Sequence, residues 1–97
     1  MKSMLALIVP PTLEEPLIDW FLVNPDISGF TTHTAYGHGS RHVLSAAEQV
    51  TGRRNQIVFW VELEQELVIT VIESLHADFS GSNIHYWQLP LTDSGVI

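Results

Sequence analysis

The stretch QIVFWVELE, residues 56–64, alternates like a β-strand over its whole length. β-branched and aromatic residues dominate it, and these residue types favour strands. Ile57, Phe59 and Val61 would lie on one face of this strand. Val58, Trp60 and Glu62 would lie on the other face. We therefore predict a strong strand here and use it to place the segments on either side.

Three further strands and two helices are predicted on either side of this strand. The apolar run MLALIV (residues 4–9) indicates a buried strand, residues 28–38 alternate, and NIHYWQLP (83–90) ends at a proline. Leu13, Leu17 and Phe21 predict a helix from about residue 12 to 24, and Thr12 with Glu15 matches a capping box. An apolar stripe over residues 67–79 predicts the second helix, ending at Gly81.

This order predicts an α+β, ferredoxin-like βαββαβ fold. A four-stranded antiparallel sheet would carry both helices on one face. The 97 residues allow a single domain, 1–97, with a long connection at about 39–54. The other sheet face has no helix to cover it.

The composition points to self-association. Hydrophobic residues make up 45% of the chain and charged residues only 15%, whereas small domains need a well-charged surface. We expect a homo-oligomer that buries the uncovered sheet face. The alternative is a monomer with a sticky patch.

The charge excludes several classes of partner. A net charge of −7 with four Lys and Arg argues against nucleic acid and against an anionic membrane surface. The absence of cysteine excludes disulfides and thiolate ligands. No apolar run approaches the roughly 20 residues that span a bilayer, and no signal peptide is recognisable, so we expect a cytoplasmic protein without membrane insertion.

Three of the four cations lie in or beside the 39–54 segment. They are Arg41, Arg53 and Arg54, and Gly37 and Gly39 stand at its entrance. Backbone N–H groups and guanidinium groups in this arrangement suit a phosphate or another anion. An ordinary solvated hairpin loop with turn glycines is the alternative, since two glycines one residue apart are a weak motif.

The histidines offer a metal site as a second interpretation. HTAYGHGSRH, residues 33–42, contains His33, His38 and His42, and His85 lies on another strand. Imidazoles suit zinc, copper and nickel. Ser40 is near His38 only in sequence, and no nucleophile stands beside an oriented base, so we do not expect an enzyme.

The chain resembles the PII-like family of signalling proteins (the nitrogen regulatory protein PII superfamily). TTHTAYGHG, a long loop and RRNQIVFWVEL match a strand ending in Gly-x-Gly, the extended T-loop and an alternating strand. VPPTLEEPLIDWFL, SGF, GHG, AEQVTGRR and HYWQLP are similar to a small subgroup of bacterial PII-like proteins of unknown function. This resemblance covers about residues 9–90.

The resemblance implies a compact homotrimer with inward-facing sheets. In PII proteins a small effector, usually an adenine nucleotide, binds in clefts between subunits, and the T-loop docks onto a protein target such as a transporter or enzyme. The T-loop here would be residues 39–54. The ligand-binding residues expected from the cation cluster and this resemblance are Gly37, His38, Gly39, Ser40, Arg41, Arg53 and Arg54.

Some family residues are replaced in this chain. Ser40 and Arg41 stand where PII proteins have arginine and glutamine, SGSNIH (80–85) lacks the phosphate-binding lysine, and nothing after Arg54 is basic. The sequence therefore leaves three candidates for the effector: an adenine nucleotide, a smaller anion and a divalent transition metal. An adaptor that binds a protein partner and no small molecule is the third interpretation.

Overall fold

A computed structural model describes residues 1–39 and 53–97 of the chain. The predicted order of elements is confirmed over these residues, and a short 3₁₀ turn at Pro11–Leu13 precedes the first helix. The elements are β1 (Lys2–Val9), α1 (Glu14–Leu22), β2 (Phe30–Gly37), β3 (Arg54–Glu64), α2 (Gln65–Asp78) and β4 (His85–Pro90).

The four strands form one antiparallel sheet in the order β2-β3-β1-β4. β3 pairs with β1 from Lys2 opposite Glu64 to Val9 opposite Ile57, so the two most apolar strands are the central ones. β2 and β4 are the edges. This topology, with two helices, confirms the α+β, ferredoxin-like fold class.

The core lies between the sheet and the two helices. Alternate residues of the central strands and the apolar stripes of α1 and α2 meet there. Phe21 of α1 is fully buried, and its ring centroid lies 5.4 Å from Phe30 and 5.9 Å from Phe59. The other residues of this cluster with at most 2% exposure are Leu5, Leu7, Val9, Leu17, Val61, Val68 and Val71.

The predicted capping box at Thr12 and Glu15 is wrong. The 3₁₀ turn moves the helix start to Glu14, so Leu13 is the capping residue, and it makes no side-chain cap hydrogen bond. Pro16 fits because it occupies the first turn of α1, where backbone N–H groups have no partner within the helix.

α2 is tied to α1 at its C-terminal end. The indole Nε1 of Trp20 donates a hydrogen bond of 2.7 Å to Asp78 Oδ2, and the Trp20 ring packs edge-on against Phe79. The chain then turns through Gly81 (φ 77°) and Asn83 (φ 61°) into β4. The helix ends at Asp78, before the predicted end at Gly81, and the left-handed conformation of Gly81 belongs to the turn that follows. No helix in the described part of the chain is long and apolar enough to cross a membrane.

Candidate effector site and open sheet face

The 39–54 segment leaves and re-enters the sheet at one point. Gly37, the last residue of β2, pairs directly with Arg54, the first residue of β3. Gly37, Arg53 and Arg54 are therefore brought together as the sequence predicts, and we call this group with Tyr36 the loop base. Ser40, Arg41 and His42 lie outside the described residues.

Tyr36 orients one cation of the loop base. The guanidinium carbon of Arg53 lies 3.8 Å from the centroid of the Tyr36 ring, which is the geometry of a cation–π contact. A guanidinium keeps its charge in proteins and binds anions through paired N–H groups. The stack therefore holds a permanent positive charge beside the end of β2. Sequence reasoning missed Tyr36, although its place directly before Gly37 was the available signal.

Gly37 lies close to the flexible end of the Gln56 side chain, which would have to move to admit a larger residue. A Cβ placed on it would lie 2.6–2.7 Å from the amide atoms of the Gln56 side chain, closer than real contacts allow. At Gly39 a Cβ would meet nothing within 4 Å among the described residues, and its φ is not positive. The role of the two glycines in anion binding stays a prediction.

His33 is fully engaged within its own chain. The indole N–H of Trp60 donates to its Nε2 at 2.8 Å, and its Nδ1 lies 2.9 Å from the backbone oxygen of Thr34. An indole nitrogen can only donate, so Nε2 accepts, and the proton of a neutral ring sits on Nδ1 and is donated to Thr34. Neither ring nitrogen is left for a metal in this arrangement.

His33 and His85 do not converge in one chain. His33 pairs with Val58 and His85 with Ile8, which places the two histidines on the same face but on opposite edge strands. Three inter-strand spacings separate them, about 14 Å. Residues 1–39 and 53–97 contain no group of three side chains that could hold a metal ion. His38 lies just beyond β2, and its predicted partner His42 is outside the described residues.

The sheet face away from the helices is uncovered by either helix, as predicted, and apolar at its centre, and we call it the open face. Its middle row runs from Thr31 across Trp60 and Ala6 to Trp87. Ala6 is fully buried, whereas Trp87 remains 53% exposed and Leu89 44%. Arg54, Glu62 and Glu64 are the charged residues of β3 on this face, and the Glu62 carboxylate accepts a hydrogen bond from the Ser94 hydroxyl.

The comparisons agree with this fold. The chain resembles the crystal structure of a DUF3240 family protein from Shewanella baltica OS155, with a TM-score of 0.81, 19% identity, and coverage of 99% of this chain and 96% of that one. It also resembles a candidate PII-like signalling protein from Thermus thermophilus, with a TM-score of 0.64, 16% identity, and coverage of 90% and 83%.

No curated protein matches the sequence. The model of the family described as "Protein of unknown function (DUF3240)" matches residues 1–97. The expected resemblance to a PII-like group of unknown function is thereby confirmed. The chain belongs to the DUF3240 family and has a PII-like fold.

Proposed function

We propose that this chain is the subunit of a homotrimeric PII-like regulator. A small anionic effector, an adenine nucleotide or another anion, binds at the loop base in the cleft between subunits. Residues 39–54 then act on a protein target, a transporter or enzyme. The regulator carries out no catalysis and works in the cytoplasm.

The loop base is the observation that carries this proposal. A chain of net charge −7 places Arg53 and Arg54 side by side where the segment returns to the sheet, and Arg53 is oriented by Tyr36. Arg41 adds a third cation to the same segment. Local positive charge on an acidic protein attracts an anion to that point alone.

The open face supports the trimer. Trp60, Trp87 and Leu89 lie on a sheet surface that neither helix covers. An exposed apolar patch of this kind marks an interface. Three copies that turn these faces inward would bury the patch and would place the edge strands, and with them the loop base, at the contacts between subunits.

A thermal melt against candidate effectors tests the proposal. The panel is ATP, ADP, AMP, bicarbonate, and zinc, copper and nickel salts. A ligand at 100 times its Kd that binds only the native state adds about 2.7 kcal/mol to its stability. We expect at least one anion to raise the Tm and none of the metals to do so, because His33 is engaged and no three-residue metal group is present in the described residues.

Two variants that each remove one positive charge locate the site, and a third that removes one elsewhere is the control. Arg54→Gln and Arg41→Ala should each weaken the anion at least tenfold, because a charge-assisted bidentate contact is lost. Lys2→Gln removes the same charge at the start of β1 and should change the affinity less than twofold. Equal effects of Arg54→Gln and Lys2→Gln would refute the loop base as the site. A Tm shift with metals alone would replace the proposal by the metal interpretation, and no shift with any compound would replace it by the adaptor.

A further inference from the structure

A second cleft lies in the chain at the C-terminal end of α2, away from the loop base. α2 packs over β1 and β3 and leaves the helix side of the edge strand β4 uncovered. The gap between α2 and β4 has a volume of about 160 Å³. We call it the α2–β4 cleft.

The wall of the α2–β4 cleft is apolar. Leu7 at the centre of β1 and Leu75 of α2 are core residues that also line it, and the other apolar lining residues are half-buried. They are Ile72, Phe79 and Ile84. A dry apolar cavity of about 150 Å³ is known to accept one benzene molecule. The cleft is therefore large enough for one ring.

The mouth of the cleft is polar but carries no carboxylate, lysine or arginine among its described lining residues. The groups there are the hydroxyls of Ser80, Ser82 and Tyr86, the amide of Asn83 and the imidazole of His76. Such groups hydrogen-bond a neutral substituent, and they offer a phosphate or carboxylate no permanent counter-charge. This chemistry differs from that of the loop base.

The cleft is built in advance of any ligand. Phe79 is held by the edge-on Trp20 ring and by its backbone N–H, which donates to the Leu75 oxygen at 2.8 Å. The Ser82 N–H donates back to the Phe79 oxygen at 3.1 Å, which closes the turn around Gly81. A preformed apolar pocket with a few polar groups is the general form of a small-molecule site.

We propose that the α2–β4 cleft binds an uncharged, ring-sized ligand that bears a hydroxyl or carbonyl group. The ring contacts Leu7, Ile72 and Phe79, and the substituent hydrogen-bonds at the mouth of the cleft. This ligand differs in charge from the effector at the loop base, and none of the described lining residues of the cleft belongs to the loop base.

Phenol is the probe, titrated into the ¹⁵N-labelled full-length protein and followed by amide chemical shifts. We expect saturable shifts at residues 79–86 with a Kd on the order of 1 mM, since a ligand of this size makes few contacts. Ile72→Phe fills the cleft and should raise the Kd at least fivefold. Ile69→Phe is the matched control on the same helix, because Ile69 is 65% exposed and lies outside the cleft; it should change the Kd less than twofold.

The wild-type protein alone also tests whether the ligand is uncharged, even if the variants fail to fold. Phenyl phosphate should bind these residues more weakly than phenol. Tighter binding of phenyl phosphate, an absence of saturable shifts at 79–86 up to about 50 mM phenol, or an equal effect of the two isoleucine variants would overturn the proposal. Tighter binding of N-acetyl-phenylalanine amide than of phenol would assign the cleft to a peptide side chain instead and would overturn it too.

Discussion

Replacing Trp87 by alanine should dissociate the proposed trimer. Trp87 is 53% exposed in the single chain, which corresponds to about 130 Å² of a side chain that has about 250 Å² in all. At about 25 cal/mol per Å², burying this area in an interface contributes about 3 kcal/mol per subunit. Three subunits lose about 9 kcal/mol together, which is an upper value because interface area converts incompletely into affinity.

The assay is sedimentation velocity over a concentration series. Because a trimer dissociates into three chains, its dissociation constant scales with the square of concentration. A loss of about 9 kcal/mol therefore moves the midpoint concentration by up to about 10³-fold. Ile69→Ala is the matched control, since Ile69 is also a large exposed apolar residue but lies on α2. A Trp87→Ala midpoint within about threefold of the wild type, or an equal effect of Ile69→Ala, would show that Trp87 is not buried between subunits.

Three stability predictions concern the core and the loop base, each measured by urea unfolding at one fixed protein concentration. Phe21→Ala should lower the unfolding free energy by about 3–5 kcal/mol, because a fully buried ring is replaced by a cavity. Ser3→Ala should raise it by about 1 kcal/mol, because the Ser3 hydroxyl is buried without a hydrogen-bond partner among the described residues. Gly37→Ala should lower it by at most about 1 kcal/mol, because the flexible Gln56 amide can move aside, and this cost should largely disappear in a Gln56→Ala background.

Each of these predictions has its own contradicting result. A Phe21→Ala loss under about 1 kcal/mol would place the ring outside the core. Destabilisation by Ser3→Ala would reveal a hydrogen bond to that hydroxyl. Additive effects of Gly37→Ala and Gln56→Ala would show that the Gln56 amide is not what excludes a Cβ at Gly37.

The fold could be predicted because its signals are local. β3 alternates over its whole length, and β1 is a continuous apolar run, which is why they form the central pair. Element ends were less predictable. α2 begins at Gln65, directly after β3, and its first residues are polar. The Gln65 N–H donates a hydrogen bond of 2.9 Å to the backbone oxygen of Met1, which fixes the start of the helix. The spacing of apolar residues along the sequence cannot predict a hydrogen bond between the two ends of different elements.

The site depends on contacts between segments, which a sequence pattern does not contain. The stack of Arg53 on Tyr36 follows from the register that places Gly37 opposite Arg54. His33 and His85 looked like potential partners, yet the strand order β2-β3-β1-β4 sends them to opposite edges. The α2–β4 cleft exists because α2 leaves the edge strand β4 uncovered. The cleft depends on how the helix packs on the sheet, so no single residue of the sequence predicts it.

Native mass spectrometry with and without ADP tests the proposed regulator most directly, since one spectrum reports both assembly and ligand. We expect an assembly of three chains of 10.9 kDa each, about 33 kDa in all. Uptake of ADP, to at most three molecules, should be reduced in Arg54→Gln and unchanged in Lys2→Gln. A species of one chain at micromolar concentration, or a trimer that binds ADP equally well in the wild type and in Arg54→Gln, would contradict the proposal.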